Sequence, residues 1–132
     1  MTLILIESPY NGDKQRNLRY LAWCMYEVAD GGDVPLASHY IGPLFWNEEA
    51  GREWGLAMRE QMAMAVQREG GIVRYFSDLG NTKGMQWAYD LDKQKGRTVV
   101  ATRLSGTNYK LFAAGKWPPN GQFRLAVNEE AT

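Results

Sequence analysis

Apolar and polar positions follow two rhythms along this chain, one of strands and one of helices. Leu3-Ile4-Leu5-Ile6 is an unbroken apolar run that stops at Ser8-Pro9-Tyr10-Asn11-Gly12-Asp13. A strand buried on both faces and ending in a turn-rich loop has this pattern, so a central parallel strand is expected. Leu18, Leu21, Ala22, Met25 and Val28 then recur at helical spacing, with Arg16, Arg19 and Glu27 on other faces and Gly31-Gly32 as terminator. They predict an amphipathic helix packed on a sheet. From Asp33 to Asn47, Pro35, Gly42 and Pro43 break the pattern, and one short strand is expected near Val34 to Ala37. Between Glu48 and Glu69, Trp54, Met58, Met62, Ala65 and Val66 fall on one helical stripe that ends at Gly70-Gly71. Ile72 to Phe76 reads as a strand and runs into a polar, glycine-containing loop. Met85, Ala88, Tyr89 and Asp92 suggest a third helix stopped by Gly96, and Thr98 to Thr102 a further strand.

Strand and helix thus alternate over most of the chain, and right-handed crossovers turn that order into a parallel sheet with helices on both faces. The expected fold class is α/β, with residues 1–104 as the α/β domain and 105–132 as an extension of it. In that extension Tyr109, Leu111 and Phe112, the turn Trp117-Pro118-Pro119-Asn120-Gly121, and Phe123, Leu125 and Val127 read as a hairpin or flap. Such a segment would serve as a lid, a dimer arm or an edge strand.

Composition narrows the function classes. At 132 residues there is room for one core. Fifteen basic residues cancel fifteen acidic ones, so the cationic excess that drives binding to nucleic acid polymers or anionic membranes is missing. His39 is the only histidine and Cys24 the only cysteine, which leaves neither a metal-ligand cluster nor an intramolecular disulfide, and no metal or cofactor is expected. The four-residue run at the N-terminus is followed by Glu7, too short for a signal-peptide core or a membrane span. A cytoplasmic protein is expected.

In an open α/β sheet, ligands bind beyond the carboxyl ends of the strands, where loops converge and helix N-termini offer free N–H groups. The loops there would supply two carboxylates, Glu7 and Asp78. They would also supply the hydroxyls of Ser8, Tyr10, Ser77 and Thr82, the amide of Asn17, and glycines that admit close backbone approach. These suit a sugar or nucleoside pocket. Gly80-Asn81-Thr82-Lys83-Gly84 fits neither the Walker nor the dinucleotide pattern, and no Gly-x-Ser-x-Gly elbow occurs.

Each of these residues also has a structural reading. Asp13 and Asn17 suit the capping of the first helix, and Asp78 the capping of a turn. His39 suits a hydrogen-bonded structural role as well as a general acid. Glu7, directly after a buried strand, needs a partner, for which Arg52 is the obvious candidate. Met58, Met62, Met64 and Trp54 read as core or interface packing, and Cys24 as a small buried apolar residue.

Several motifs occur together in order: Glu7-Ser8-Pro9-Tyr10-x-Gly12-Asp13, then Asn17-Leu18-x-Tyr20-Leu21-x-x-Cys24-Met25, then Pro35-x-Ala37-Ser38-His39. Further on come Glu49-x-x-Arg52-x-x-Gly55 and Ser77-Asp78-Leu79-Gly80-x-Thr82-x-Gly84-Met85. From about Leu3 to Arg103 the chain resembles a family of small phage and bacterial domains similar to nucleoside 2-deoxyribosyltransferases. The resemblance implies a three-layer Rossmann-like or flavodoxin-like fold whose pocket holds a nucleoside, a nucleotide or a nucleotide-derived small molecule. It also implies homo-oligomers, in a bacterium or phage-infected cell. Glu7 and Asp78 would then be the catalytic acids, and Ser8, Pro9, Tyr10, Gly12, Asp13, Asn17, Ser38, His39, Arg52, Gly80, Thr82, Gly84 and Met85 the ligand-binding residues.

In such transferases a glutamate soon after the Gly-Met pair attacks the anomeric carbon, much as in retaining glycosidases. This chain has Gln86, Trp87 and Ala88 there, and an amide does not replace an attacking carboxylate. The expectations are therefore cleavage or deoxyribosyl transfer at an N-glycosidic bond, with Glu7 or Asp90 in the glutamate's place, or a non-catalytic binder that sequesters a nucleotide-derived molecule. A structural or partner-binding domain is the third reading.

Overall fold

The computed structural model describes residues 1–41 and 48–119, and the side chains of 48–51 are left out of account. Within it β1 (Leu3–Glu7), β2 (Val34–Leu36), β3 (Ile72–Phe76) and β4 (Val99–Thr102) form one parallel sheet in the order β2-β1-β3-β4. The apolar run Leu3 to Ile6 is a central strand, with β2 on one side and β3 on the other. Helices α1 (Lys14–Asp30), α2 (Ser38–Ile41), α3 (Glu48–Arg68), α4 (Lys83–Gln94) and α5 (Gly106–Ala113) complete a three-layer α/β fold of the Rossmann and flavodoxin-like kind.

The side chains of β1 alternate between two cores, as the period of a strand demands. Ile4 and Ile6 join Phe76, Leu104 and Phe112 beneath α1, with Tyr20, Leu21, Trp23 and Cys24 from the helix itself. Leu5 joins Val73, Tyr75, Ala63, Val66, Met85 and Ala88 beneath α3 and α4. Glu7 continues the odd-numbered set and enters the second layer, where it is 4% exposed. Its register partner on β3 is Tyr75. The chain leaves β1 for β2 through α1 on one face and reaches β3 through α3 on the other. The carboxyl ends of β1 and β3 therefore flank the point where the strand order reverses, the usual place for a ligand crevice.

One helix is turned from its predicted face and another stands where a hairpin is expected. In α3 the inward stripe runs through Arg59, Ala63 and Val66, while Trp54 and Met64 are about half exposed, so the stripe is turned from the predicted one and has an arginine at its centre. The extension also differs: residues 106–113 form α5, not part of a hairpin. Ser105 caps α5 by accepting from Asn108 N, and Glu27 on α1 accepts from Ser105 N at 2.7 Å and from the Asn108 amide at 2.9 Å. Trp23 Nε1 donates to the Lys116 carbonyl at 2.7 Å. Burial of Phe112 against Tyr20 outweighs the weak helical pattern of this short segment. The expected strand through Phe123, Leu125 and Val127 lies outside the described residues. No helix among the described residues is long and apolar enough to cross a membrane.

Between α3 and β3, Gly71 passes so close to β1 that a Cβ there would lie 2.2 Å from the Leu3 carbonyl oxygen and 2.8 Å from Val66 Cγ1. Gly71→Ala is therefore expected to destabilise the fold by about 2 kcal/mol through overpacking, read as a lower urea midpoint at unchanged slope.

Candidate functional site

The crevice at the carboxyl ends of β1 and β3 holds a buried ionic network built from every layer on that side of the sheet. Arg59 on α3 donates from Nε to Glu7 Oε1 at 2.7 Å and grips Asp92 on α4 with both terminal nitrogens, at 2.8 and 2.6 Å. The Tyr75 hydroxyl donates to Asp92 and accepts from Arg59. Arg97 donates to the same Asp92 at 2.9 Å and pairs with both oxygens of Glu60 at 2.6 and 2.8 Å. The partner of Glu7 is thus Arg59 and not Arg52, because Arg59 occupies the inward stripe of α3 while Arg52, about two turns earlier in the helix, is exposed.

Electrostatics follow from this geometry. Burial pushes the Arg59 guanidinium down, but its hydrogen bonds to Asp92 and the nearby Glu7 carboxylate push it further up, so it is a fixed cation. Burial alone would raise Asp92; the hydrogen bonds from Arg59, Tyr75 and Arg97 reverse that and hold it below the ordinary carboxylate range. Glu60 is lowered mainly by its hydrogen bonds from Arg97. Burial, then the hydrogen bond to Asp92, raises the Tyr75 phenol, which remains a donor.

Over the Glu7 end of this network opens a cavity of about 840 Å³. From the predicted set it takes Glu7 at the end of β1, Ser8 and Tyr10 after it, Ser38 and His39 on α2, Arg52 on α3, Thr82 at the cap of α4, and Gly84 and Met85 in its first turn. The Tyr10 and His39 rings lie 5.0 Å apart. Thr82 also caps α4, accepting from Met85 N at 3.2 Å. The cavity adds Arg59, Lys83 and Trp87, which sequence reasoning missed. Arg59 had a legible signal, a charge between Gly55 and Ala63 on a helical stripe; Trp87, 48% exposed, had none.

Pro9, Gly12, Asp13, Asn17, Asp78 and Gly80 stand outside the cavity lining. Asp13 caps α1, accepting from Arg16 N. The buried Asn17 amide donates to the carbonyls of Tyr10 and Asn11 at 3.1 and 2.9 Å and so holds the β1–α1 loop closed. Gly12 and Gly80, at φ of 98° and 102°, shape their turns. Asp78 is the main correction. Its Oδ2 accepts from the Tyr20 hydroxyl at 2.6 Å and from Leu104 N at 2.9 Å, and its own N–H donates back to Tyr20. It fastens the β3–α4 loop to α1 and to the chain after β4, with partners from the layer beneath α1, whereas Glu7 pairs with Arg59 in the layer beneath α3 and α4. Asp90 on α4 is exposed and accepts from Gln86; neither residue lines the cavity.

Removing one member of a buried ion pair strands the others. Arg59→Leu is expected to cost about 3–5 kcal/mol, against about 2 kcal/mol for Tyr75→Phe, which removes the two hydrogen bonds of its hydroxyl; urea unfolding would rank them. Because Asp92 and Glu60 are depressed in the folded state, their contribution is fully present above the ordinary carboxylate range. It is lost as pH falls through their folded values. The urea midpoint is therefore expected to hold from pH 7 to about 5 and to fall below about pH 4, with a shallower fall in Glu60→Gln.

Comparison with curated proteins and with solved structures finds no match. A family model does match, over residues 2–102, which takes in the whole sheet, all helices but α5, and both walls of the cavity. The chain belongs to the DUF7768 family, a domain of unknown function.

Proposed function

We propose that this domain binds a nucleoside or nucleotide-derived small molecule, with phosphate preferred, and holds it without cleaving the glycosidic bond. One observation carries this reading. The cavity gathers cationic groups, Arg52 and Lys83, and aromatic rings, Tyr10 and Trp87, around Glu7, the one carboxylate that lines it among the described residues, whose Oε1 is already bonded to Arg59. Aromatic faces suit a base and cations suit a phosphate. The start of α4, at Lys83 and Gly84, adds N–H groups and a partial positive charge on the same wall, the Met85 N–H being taken by Thr82. The resemblance to deoxyribosyltransferase-like domains supplies the ligand class. Double-displacement cleavage would need a second acid near the first, and Asp78 is engaged with Tyr20 and Leu104 from the layer beneath α1.

A second reading, N-glycosidic cleavage or deoxyribosyl transfer, is favoured by the position of Glu7 in the cavity wall. The two readings separate in one experiment, incubation with nucleosides, deoxynucleosides and their 5′-monophosphates. Binding is expected to raise the melting temperature, since a ligand at a hundred times its Kd adds about 2.7 kcal/mol, with no free base detected by chromatography. Arg52→Ala with Lys83→Ala should weaken monophosphates more than nucleosides. Release of base that disappears in Glu7→Gln would establish cleavage instead. No shift with any compound and no base would remove both.

A further inference from the structure

We infer that Glu7 and Ser8 are specificity-determining residues that read the 2′,3′-diol of a ribose, so that the cavity selects ribonucleotides over their deoxy counterparts; this rests on the nucleotide reading above. Ser8 is 1% exposed and lines the cavity. Its Oγ is the one buried side-chain nitrogen or oxygen among the described residues that has no hydrogen-bond partner. Buried polar groups in folded proteins are nearly always paired, and a hydroxyl left over on a cavity wall marks where a ligand atom completes the pair.

Its neighbour Glu7 supplies the complementary half. Arg59 takes Oε1, and no described residue donates to Oε2. Arg59 is itself clamped by Asp92 through two hydrogen bonds, so the direction of the carboxylate is set before any ligand arrives. A carboxylate oxygen only accepts, whereas the Ser8 hydroxyl both donates and accepts. A ligand hydroxyl answers both, donating to Glu7 and accepting from Ser8. An aromatic amine would serve Glu7 but leave the Ser8 proton unmatched. A phosphate would meet Glu7 as a like charge and so belongs with Arg52 and Lys83. Two adjacent hydroxyls on a ring satisfy both side chains at once; 2′-deoxyribose keeps one and 2′,3′-dideoxyribose none.

The test is calorimetric titration of the full chain with the four ribonucleoside 5′-monophosphates and their 2′-deoxy and 2′,3′-dideoxy counterparts, repeated on Ser8→Ala and Glu7→Gln. For the best-binding base, affinity is expected to fall from the ribonucleotide to the 2′-deoxynucleotide to the 2′,3′-dideoxynucleotide, by at least about tenfold overall, since a site built to pair a hydroxyl discriminates against its loss. Ser8→Ala should bring that ratio towards unity while leaving dideoxynucleotide affinity nearly unchanged. Without ligand, Ser8→Ala should melt at or above the temperature of the unsubstituted protein, because no protein hydrogen bond is lost. Equal affinities for ribo and dideoxy forms, a preserved ratio in Ser8→Ala, or a lower melting temperature of that variant alone would each overturn the inference while leaving nucleotide binding intact. Failure of every nucleotide to bind would overturn the nucleotide reading, and this inference with it.

Discussion

The guanidinium of Arg59 is the interaction on which the site side of this molecule depends. It lies 4% exposed in the layer beneath α3 and α4 and ties the end of β1, through Glu7, to α4, through Asp92. Tyr75 on β3 and Arg97 before β4 complete the set. A charge in such a place is tolerable only when its neighbours are paired to it and to each other. The network therefore prescribes the relative position of two strands and two helices more narrowly than apolar packing would. The cavity opens over one corner of it, so the cavity-facing carboxylate is oriented from behind by a chain of hydrogen bonds.

The parity of the strands decides which groups can act together. Glu7 belongs to the odd positions of β1 and enters the α3 and α4 layer, while Asp78, beyond the end of β3, turns to Tyr20 and Leu104 from the layer beneath α1. Two acids near neighbouring strand ends in sequence are thus placed in different environments. One lies beside cations and a cavity; the other is a structural tie that accepts from a hydroxyl and a backbone N–H. This separation is what supports recognition over bond cleavage in the function proposed above. Of the predicted loop glycines, Gly12 and Gly80 set turns outside the cavity lining, while Gly84, at the start of α4, lines it.

The same division bears on the remaining sequence motifs. Asn17 looks like a ligand-binding amide and instead staples its own loop. Cys24, buried beside Tyr20, is raised well above its usual thiol range, chiefly by burial, as suits an apolar role. Arg52, Lys83 and Trp87 stay at the surface of the crevice. Apart from the Ser8 hydroxyl, the buried side-chain nitrogen and oxygen atoms of the described residues are all paired.

What the sequence determined by itself is the alternation of elements and the region of the site. Unbroken apolar runs such as Leu3 to Ile6, helical spacing and glycine stops are local properties, legible without a partner. The parallel α/β class and the cluster of loops from Glu7 to Tyr10 and Thr82 to Met85 follow from them. Tertiary structure alone decided the rotation of α3 that brings Arg59 inward, the choice of Arg59 over Arg52 for Glu7, the layer to which Asp78 turns, and the helical state of 106–113. Each depends on groups far apart in the chain, Glu7 with Arg59 and Asp92, or Glu27 with Ser105 and Asn108, whose pairing energy exceeds local preference. Local periodicity carries no record of such partners until the layers are packed.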